Sequence, residues 1–184
     1  MPNATYQNPS HEERFYCNVV DLSKLIEELI TICYENGYKY VHPSLVKLAT
    51  MVISGTNKTT IMENFIFYSY PYWEKIAKRE ESFFLENCKN VFKDLPLDKV
   101  DAFKVLFTAV DSNGTPIIND EDRCGIWDFF EGLIRICIKY IHEKRKPKLK
   151  STPEGTKRVY ETKFFPDINL QRYATLWKVE LKWD

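Results

Sequence analysis

The sequence predicts a mainly α-helical protein, a bundle of six or seven helices followed by a C-terminal extended arm or β-hairpin. From Leu22 to Ile141, apolar residues recur three and four positions apart, the spacing that places them on one face of a helix. Near the C-terminus the spacing changes to two, which is typical of a half-buried strand. The predicted units are an irregular N-terminal arm (1–18), a helical domain (19–145), a basic linker (146–158) and a β-type arm (159–184).

Composition indicates a packed chain with balanced charge. Of its 184 residues, 44% are hydrophobic and 15% aromatic, enough to build a core and too many for a disordered chain. Twenty-six basic residues match twenty-six acidic ones, which removes the global electrostatic argument for binding nucleic acid or a membrane surface. The first twenty residues are polar and the apolar runs are short, so neither a secretory signal nor a transmembrane span is predicted. Five scattered cysteines without a CxxC pair indicate reduced thiols and an intracellular setting.

Two helices are predicted at the start of the helical domain. The first covers about 22–36, with Asp21 as its N-cap and Gly37 just beyond its end. The second begins near Pro43, a residue suited to a first helical turn, and stops at Gly55.

A third helix is predicted from a capping box, Thr60 to Glu63, with a kink or break expected at Pro71. Aromatic residues occupy all sides of this segment: Phe65, Phe67, Tyr68, Tyr70, Tyr72 and Trp73. A helix that is apolar all round is buried or forms an interface, so core packing is expected first and partner binding second.

Three more helices complete the predicted bundle, over about 80–94, 98–109 and 120–145. The last has the strongest pattern, because a wide apolar stripe lies between an acidic start and a basic end. Both charge placements favour the helix macrodipole. Its stripe consists of Ile126, Phe130, Leu133, Ile134, Cys137, Ile138 and Ile141.

The C-terminal arm is predicted to contain a strand over Thr175–Asp184. Apolar residues alternate there with charged ones, which gives a strand with one apolar face. An exposed strand edge offers unpaired backbone groups to another sheet, so this arm is expected to dock a protein partner. The alternative is a hairpin with the segment Arg158–Phe165, folded back on the bundle. The expected partner-binding residues are Trp177, Val179, Leu181 and Trp183.

The loop between the last two helices has the sequence DSNGTPIINDED and resembles a calcium-binding EF-hand loop. On that resemblance, Ile117 would offer its backbone carbonyl. However, Pro116 stands where the family has a turn glycine, and proline cannot adopt the left-handed conformation. We therefore expect a turn at 112–114 that joins two helices, and no micromolar Ca²⁺ site. The side chains that would form a weak cation site are Asp111, Asn113, Thr115, Asn119 and Asp122.

No catalytic or cofactor-binding pattern is visible in the sequence. The three histidines, His11, His42 and His142, show no HExxH spacing, and there is no GxSxG, Walker or GxGxxG motif. We therefore predict no enzyme, no catalytic residues and no cofactor. Nucleic acid is not favoured as a partner, and the basic run 144–158 is the one segment through which it could be contacted.

Three segments, NFIFYSYPYWEKIAKREESFFLENC, LDKVDAFKVLF and NDEDRCGIWDFFEGLIRICIKYIHEKRKP, are similar to small helical proteins of unassigned function encoded by large DNA viruses of eukaryotes. The similarity covers about residues 60–147 and implies a virion or virus-factory protein. The segment GIWDFFEGL also resembles the WDxF and FxxG elements of viral apoptosis-regulator bundles. The last helix turns charged by Lys139, whereas that family has a long apolar central helix.

The function expected from the sequence is that of a non-enzymatic helical interaction or structural protein, a viral structural or assembly component that binds a protein partner or itself. Two alternatives stay open. One is a calcium-responsive, EF-hand-like binding module, and the other is an apoptosis-regulator-like helical bundle.

Overall fold

The computed structural model describes residues 8–91, 97–146, 148–159 and 164–182. These are mainly helical, with an antiparallel two-stranded hairpin in the C-terminal part, which confirms the predicted fold class. In chain order the elements are α1 (His11–Glu35), α2 (Ser44–Ser54), α3 (Lys58–Ser69), a 3₁₀ turn (Tyr70–Tyr72), α4 (Trp73–Ala77), α5 (Glu81–Val91), α6 (Leu97–Thr108), α7 (Asp120–Arg145), β1 (Lys148–Thr152), β2 (Gly155–Val159) and α8 (Leu170–Leu176).

An antiparallel pair of long helices, α1 and α7, forms the centre of the bundle. His11 at the start of α1 contacts Glu143 near the end of α7, with 2.8 Å between Nε2 and Oε2. At the other end of the pair, Leu25 of α1 lies against Gly125 of α7. The predicted apolar stripe of α7 enters the core, where these residues are buried: Ile126, Leu133, Ile134, Cys137, Ile138 and Ile141.

The bounds of α7 are those predicted, because the signals that set them are local. The side chain of Asn119 accepts a hydrogen bond from the backbone N–H of Asp122, 2.8 Å away, and so caps the helix. Acidic residues occupy the first turn and basic ones the last, which suits the macrodipole.

The start of α1 corrects the predicted N-terminal arm. Residues 11–18 are helical rather than irregular, and Phe15 is buried in the core. Ser10 caps the helix by accepting a hydrogen bond from the N–H of Glu13 at 3.1 Å. A serine three residues before a glutamate is the sequence of a capping box, which accounts for the earlier start and replaces Asp21 as the cap. Residues 1–7 lie outside the described part of the chain.

The third helix also begins before its predicted cap. Asn57, not Thr60, caps α3 through hydrogen bonds from the N–H groups of Thr59 and Thr60, at 2.9 and 3.3 Å. The predicted break at Pro71 is confirmed, because α3 ends at Ser69 and the chain passes through the 3₁₀ turn into α4. The next predicted helix, about 80–94, is α5, and residues 92–94 lie outside the described part.

The basic segment beyond α7 corrects the predicted linker. Residues 148–159 form the hairpin β1–β2, in which Lys148 pairs with Val159 and Thr152 with Gly155. A two-residue turn, Pro153-Glu154, joins the strands, and Gly155 takes the positive φ of 123° that follows it.

The predicted C-terminal strand is wrong over its described residues. Residues 170–176 form α8, capped by Asn169, and residues 177–182 are neither helix nor strand. Apolar residues do alternate with charged ones here. The segment that carries them is irregular and packs on α7, and it does not form part of a sheet. Residues 160–163 of the other predicted strand lie outside the described ranges.

Within the residues that the structure describes, no helix has the length and apolar character needed to cross a membrane.

Candidate functional site

The loop after α6 is a hydrogen-bonded turn built around Asp111. Its Oδ1 accepts hydrogen bonds from the N–H groups of Asn113 and Thr115, at 2.8 and 3.0 Å. Gly114 adopts a positive φ of 77°, and its N–H donates to the Asp111 carbonyl at 3.1 Å. The turn is therefore centred on residues 112–114, where the sequence places it.

The candidate calcium ligand Asn119 has another role. The side-chain oxygen of Asn119 caps α7 by accepting from the N–H of Asp122, and Ile118 between the turn and the helix is buried. A cation at this loop would compete with backbone N–H groups for the oxygens of Asp111 and Asn119. In the described ranges, no three His, Cys, Asp or Glu side chains are arranged to hold a metal ion.

The C-terminal residues expected to bind a partner lie inside the protein's own fold. Trp177 is 5% exposed and Val179 is 9% exposed, and Leu181 is partly buried against the same core. Arg135 of α7 donates from Nε to the Trp177 carbonyl at 3.0 Å. His142 of α7 forms a 2.8 Å hydrogen bond with the carbonyl of Lys182.

This packing corrects the expectation of an exposed docking face at the C-terminus. The physical reason is that Arg135 and His142 of α7 form hydrogen bonds with two backbone carbonyls of this segment. In a β-sheet, the backbone of a neighbouring strand would satisfy such carbonyls. The apolar side chains are then free to enter the core. Trp183, the last residue of the expected set, lies outside the described part of the chain.

An exposed apolar face lies instead on α2. Leu48, Met51 and Val52 are 54%, 68% and 69% exposed, and their spacing places them on one side of the helix. The opposite side of α2 packs on α1, with Val46 against the core. At the border of the two helices, Lys47 Nζ lies 3.3 Å from Glu27 Oε1.

The sequence contained a signal for this face. The helix SLVKLATMVIS carries one charged residue and is apolar on most of its circumference, which indicates burial or an interface. In the structure, no residue of α2 is fully buried. Two further aromatic side chains are exposed on α3, Phe67 at 59% and Tyr68 at 42%.

A cleft of about 390 Å³ lies between the start of α1 and the end of α7, lined by residues 8–12, Tyr140, Glu143 and Lys144. His11 pairs with Glu143 there, and the Tyr140 hydroxyl donates to Glu63 Oε1 at 2.8 Å. Burial, together with this hydrogen bond, raises the pKa of Tyr140 well above its ordinary value. The hydroxyl of Tyr140 therefore keeps its proton at neutral pH.

Two buried thiols are also held in the neutral form. Burial raises the pKa of the Cys137 thiol on α7, and it raises the pKa of Cys33 on α1 as well. Because the thiolate is the reactive species, these two side chains are core residues rather than nucleophiles.

No protein-family model matches the chain, and no curated protein or solved structure matches it either. The geometry of its own residues is therefore what bears on function. Its main features are the exposed face of α2, the C-terminal segment packed on α7 and the basic hairpin.

Proposed function

We propose that the chain is a non-enzymatic helical protein that acts by binding protein, in the first place a second copy of itself, through the exposed apolar face of α2. The observation that carries this proposal is the exposure of Leu48, Met51 and Val52 on one side of a single helix. Burying such side chains completely contributes about 1.5–3 kcal/mol each. Three side chains that are more than half exposed thus offer several kcal/mol to an association.

A second copy suits this face because a two-fold axis places the same patch on both partners. Such an interface is self-complementary and closes after two subunits. The spacing of i, i+3 and i+4 lets two copies of α2 pack side by side, with each apolar stripe against the other. The balanced total of twenty-six basic and twenty-six acidic residues adds no net repulsion between copies.

The state of three potential nucleophiles, Tyr140, Cys33 and Cys137, supports a non-enzymatic role. The hydroxyl of Tyr140 donates to Glu63, and burial raises the pKa values of Cys33 and Cys137. All three groups are neutral at physiological pH. Cys33 and Cys137 lie in the core, and the Tyr140 hydroxyl at the cleft is held by Glu63.

The proposed setting is intracellular, in a virion or the host cytoplasm, where the protein acts as a structural or assembly component of a virus. The sequence pattern of residues 60–147, which we compare with small helical proteins of large DNA viruses, motivates this setting. The free thiols of the described cysteines Cys17, Cys33, Cys124 and Cys137 are compatible with a reducing compartment.

Sedimentation velocity over a concentration series tests the self-association. The wild-type chain should shift from monomer to dimer as concentration rises, whereas Met51→Glu should stay monomeric because it places a charge in the apolar contact. The matched control is Phe67→Glu, which makes the same kind of change at a 59% exposed side chain on α3 and should dimerise like the wild type.

Circular dichroism of both variants should match the wild type, since neither side chain is in the core. A wild-type chain that is monomeric at every concentration would overturn the self-association. A dimer that survives Met51→Glu but not Phe67→Glu would move the interface to α3.

A further inference from the structure

The basic charge of the chain is concentrated in one short segment. Residues 144–158 contain seven of the twenty-six basic residues and one of the twenty-six acidic ones, Glu154. The rest of the chain is therefore net acidic, although the total is zero. The structure folds most of this basic segment into the hairpin β1–β2.

The hairpin is an exposed two-stranded ribbon. Its strands pack mainly on each other, and among the described residues neither packs extensively on a helix. Residues 150, 151 and 153–157 are exposed, and Thr152 between them is half-buried. The turn and the adjoining part of each strand are thus accessible to a large partner.

The cross-strand register places two lysines directly opposite each other, Lys150 and Lys157. Like charges at opposed positions of an antiparallel pair destabilise it. Lys157 also forms a 2.9 Å pair with Glu154 at the turn, but both side chains are mostly exposed, which makes this pair weak. A polyanion on this surface would relieve the repulsion between the two lysines.

We propose that the hairpin binds the phosphate backbone of duplex nucleic acid. A two-stranded β-ribbon has the width that the major groove of B-DNA admits. Lysine side chains neutralise phosphates and release condensed counterions, which drives binding without regard to base sequence.

The composition of the segment favours a duplex over other polyanions. Residues 144–159 contain no aromatic residue on which an unpaired base could stack, and no Asn or Gln to read base edges. Their only apolar residues besides proline are Leu149 and Val159, too few for the apolar face that a membrane-surface element inserts.

Fluorescence anisotropy with the full chain and a short labelled DNA duplex of mixed sequence tests the site. We expect salt-sensitive binding in the micromolar range, with a slope of log K against log salt on the order of −3. A duplex of unrelated sequence should bind equally well.

Two hairpin variants should act in opposite directions. Lys150→Glu should weaken binding about tenfold and make the salt slope shallower by about 2, because a charge reversal removes one cation and adds one anion. The same change should not disrupt the hairpin, since the new carboxylate lies opposite Lys157. Glu154→Gln should tighten binding severalfold, because it removes the one acidic side chain of the ribbon.

Lys24→Glu is the matched control, because it changes the net charge of the protein by the same amount as Lys150→Glu. Lys24 is exposed on α1 next to Leu25, which contacts Gly125 near the start of α7, whereas the hairpin follows the end of α7. Lys24 therefore lies near the opposite end of α7 from the hairpin, and Lys24→Glu should leave affinity unchanged.

Absence of duplex binding by the wild type at low salt would overturn the proposal. Equal losses of duplex affinity in Lys150→Glu and Lys24→Glu would overturn it too. They would show that binding depends on the net charge of the protein and not on the hairpin. Tight binding to anionic phospholipid vesicles, with none to the duplex, would assign the ribbon to a membrane surface instead. None of these outcomes bears on α2, which is a separate element.

Discussion

The guanidinium Nε of Arg145 donates a hydrogen bond to the carbonyl oxygen of Phe164, 2.9 Å away. The other two nitrogens of Arg145 donate to the carbonyls of Phe165 and Ile168. Phe165 has a positive φ of 48°, which is uncommon for a bulky residue. The last residue of α7 thus fixes the path by which the chain returns to the bundle after the hairpin.

Arg145→Lys should lower the free energy of unfolding by about 2 kcal/mol, because an ammonium keeps the charge but cannot reproduce the planar fork of donors. Urea unfolding followed by circular dichroism measures the change. Arg172→Lys is the matched control, since Arg172 pairs with the exposed Glu74 and should cost less than about 1 kcal/mol. Equal effects of the two substitutions would mean that Arg145 does not organise the loop.

Trp177→Ala should lower the free energy of unfolding by about 3–5 kcal/mol, the range for removing a buried aromatic side chain. Trp177→Phe should cost clearly less, because it keeps an aromatic ring and removes an indole N–H that has no acceptor among the described residues. Leu176→Ala, at a neighbouring side chain that is 38% exposed, should cost less than about 1 kcal/mol. Thermal melts report all three, and a Trp177→Ala variant that melts like the wild type would restore the C-terminus as a free docking arm.

The contrast between α7 and the C-terminal segment shows what the sequence can and cannot predict. The N-cap, the apolar stripe and the terminal charges of α7 all lie within residues 119–145. Both ends of the helix can therefore be predicted from the local sequence. For residues 177–182, alternation predicts which side chains are buried but not which groups satisfy the backbone. Those groups belong to Arg135 and His142, some forty positions earlier in the chain.

The exposure of the apolar face of α2 could not be predicted for a related reason, although the face itself is visible in the sequence. Apolar spacing shows that a helix has an apolar face, but not whether the chain supplies enough neighbours to cover it. In the structure, α2 packs on α1 and leaves Leu48, Met51 and Val52 exposed. The position of the hairpin, at residues 148–159, could not be predicted, because a basic segment with two prolines is typical of a linker and Lys150 opposite Lys157 is an unfavourable cross-strand pair.

The Tyr140–Glu63 hydrogen bond should make stability depend on alkaline pH. The folded state raises the pKa of Tyr140, so its contribution is complete below the unfolded value of about 10 and declines as pH rises beyond it. Urea unfolding of the wild type and Tyr140→Phe should therefore show a stability difference that is constant up to about pH 9 and shrinks between about pH 10 and pH 11.5. A difference that stays constant over this range would contradict the linkage.

The loop at Asp111 should not bind Ca²⁺ with micromolar affinity. Pro116 occupies the turn-glycine position, and Asp111 Oδ1 already accepts hydrogen bonds from two backbone N–H groups. Calorimetric titration with Ca²⁺ should show no saturable heat. Asp111→Ala should instead lower stability by about 1 kcal/mol through loss of the turn. Tight binding that Asp111→Ala abolishes would establish a calcium-responsive module.

In the proposed dimer, copies of this chain meet at the exposed face of α2. Hydrogen–deuterium exchange at low and high protein concentration tests this contact, because it locates any protection along the chain. We expect added protection at high concentration in residues 44–54, and none in Met51→Glu. Exchange in α2 that is independent of concentration, with protection appearing in another element, would contradict the claim.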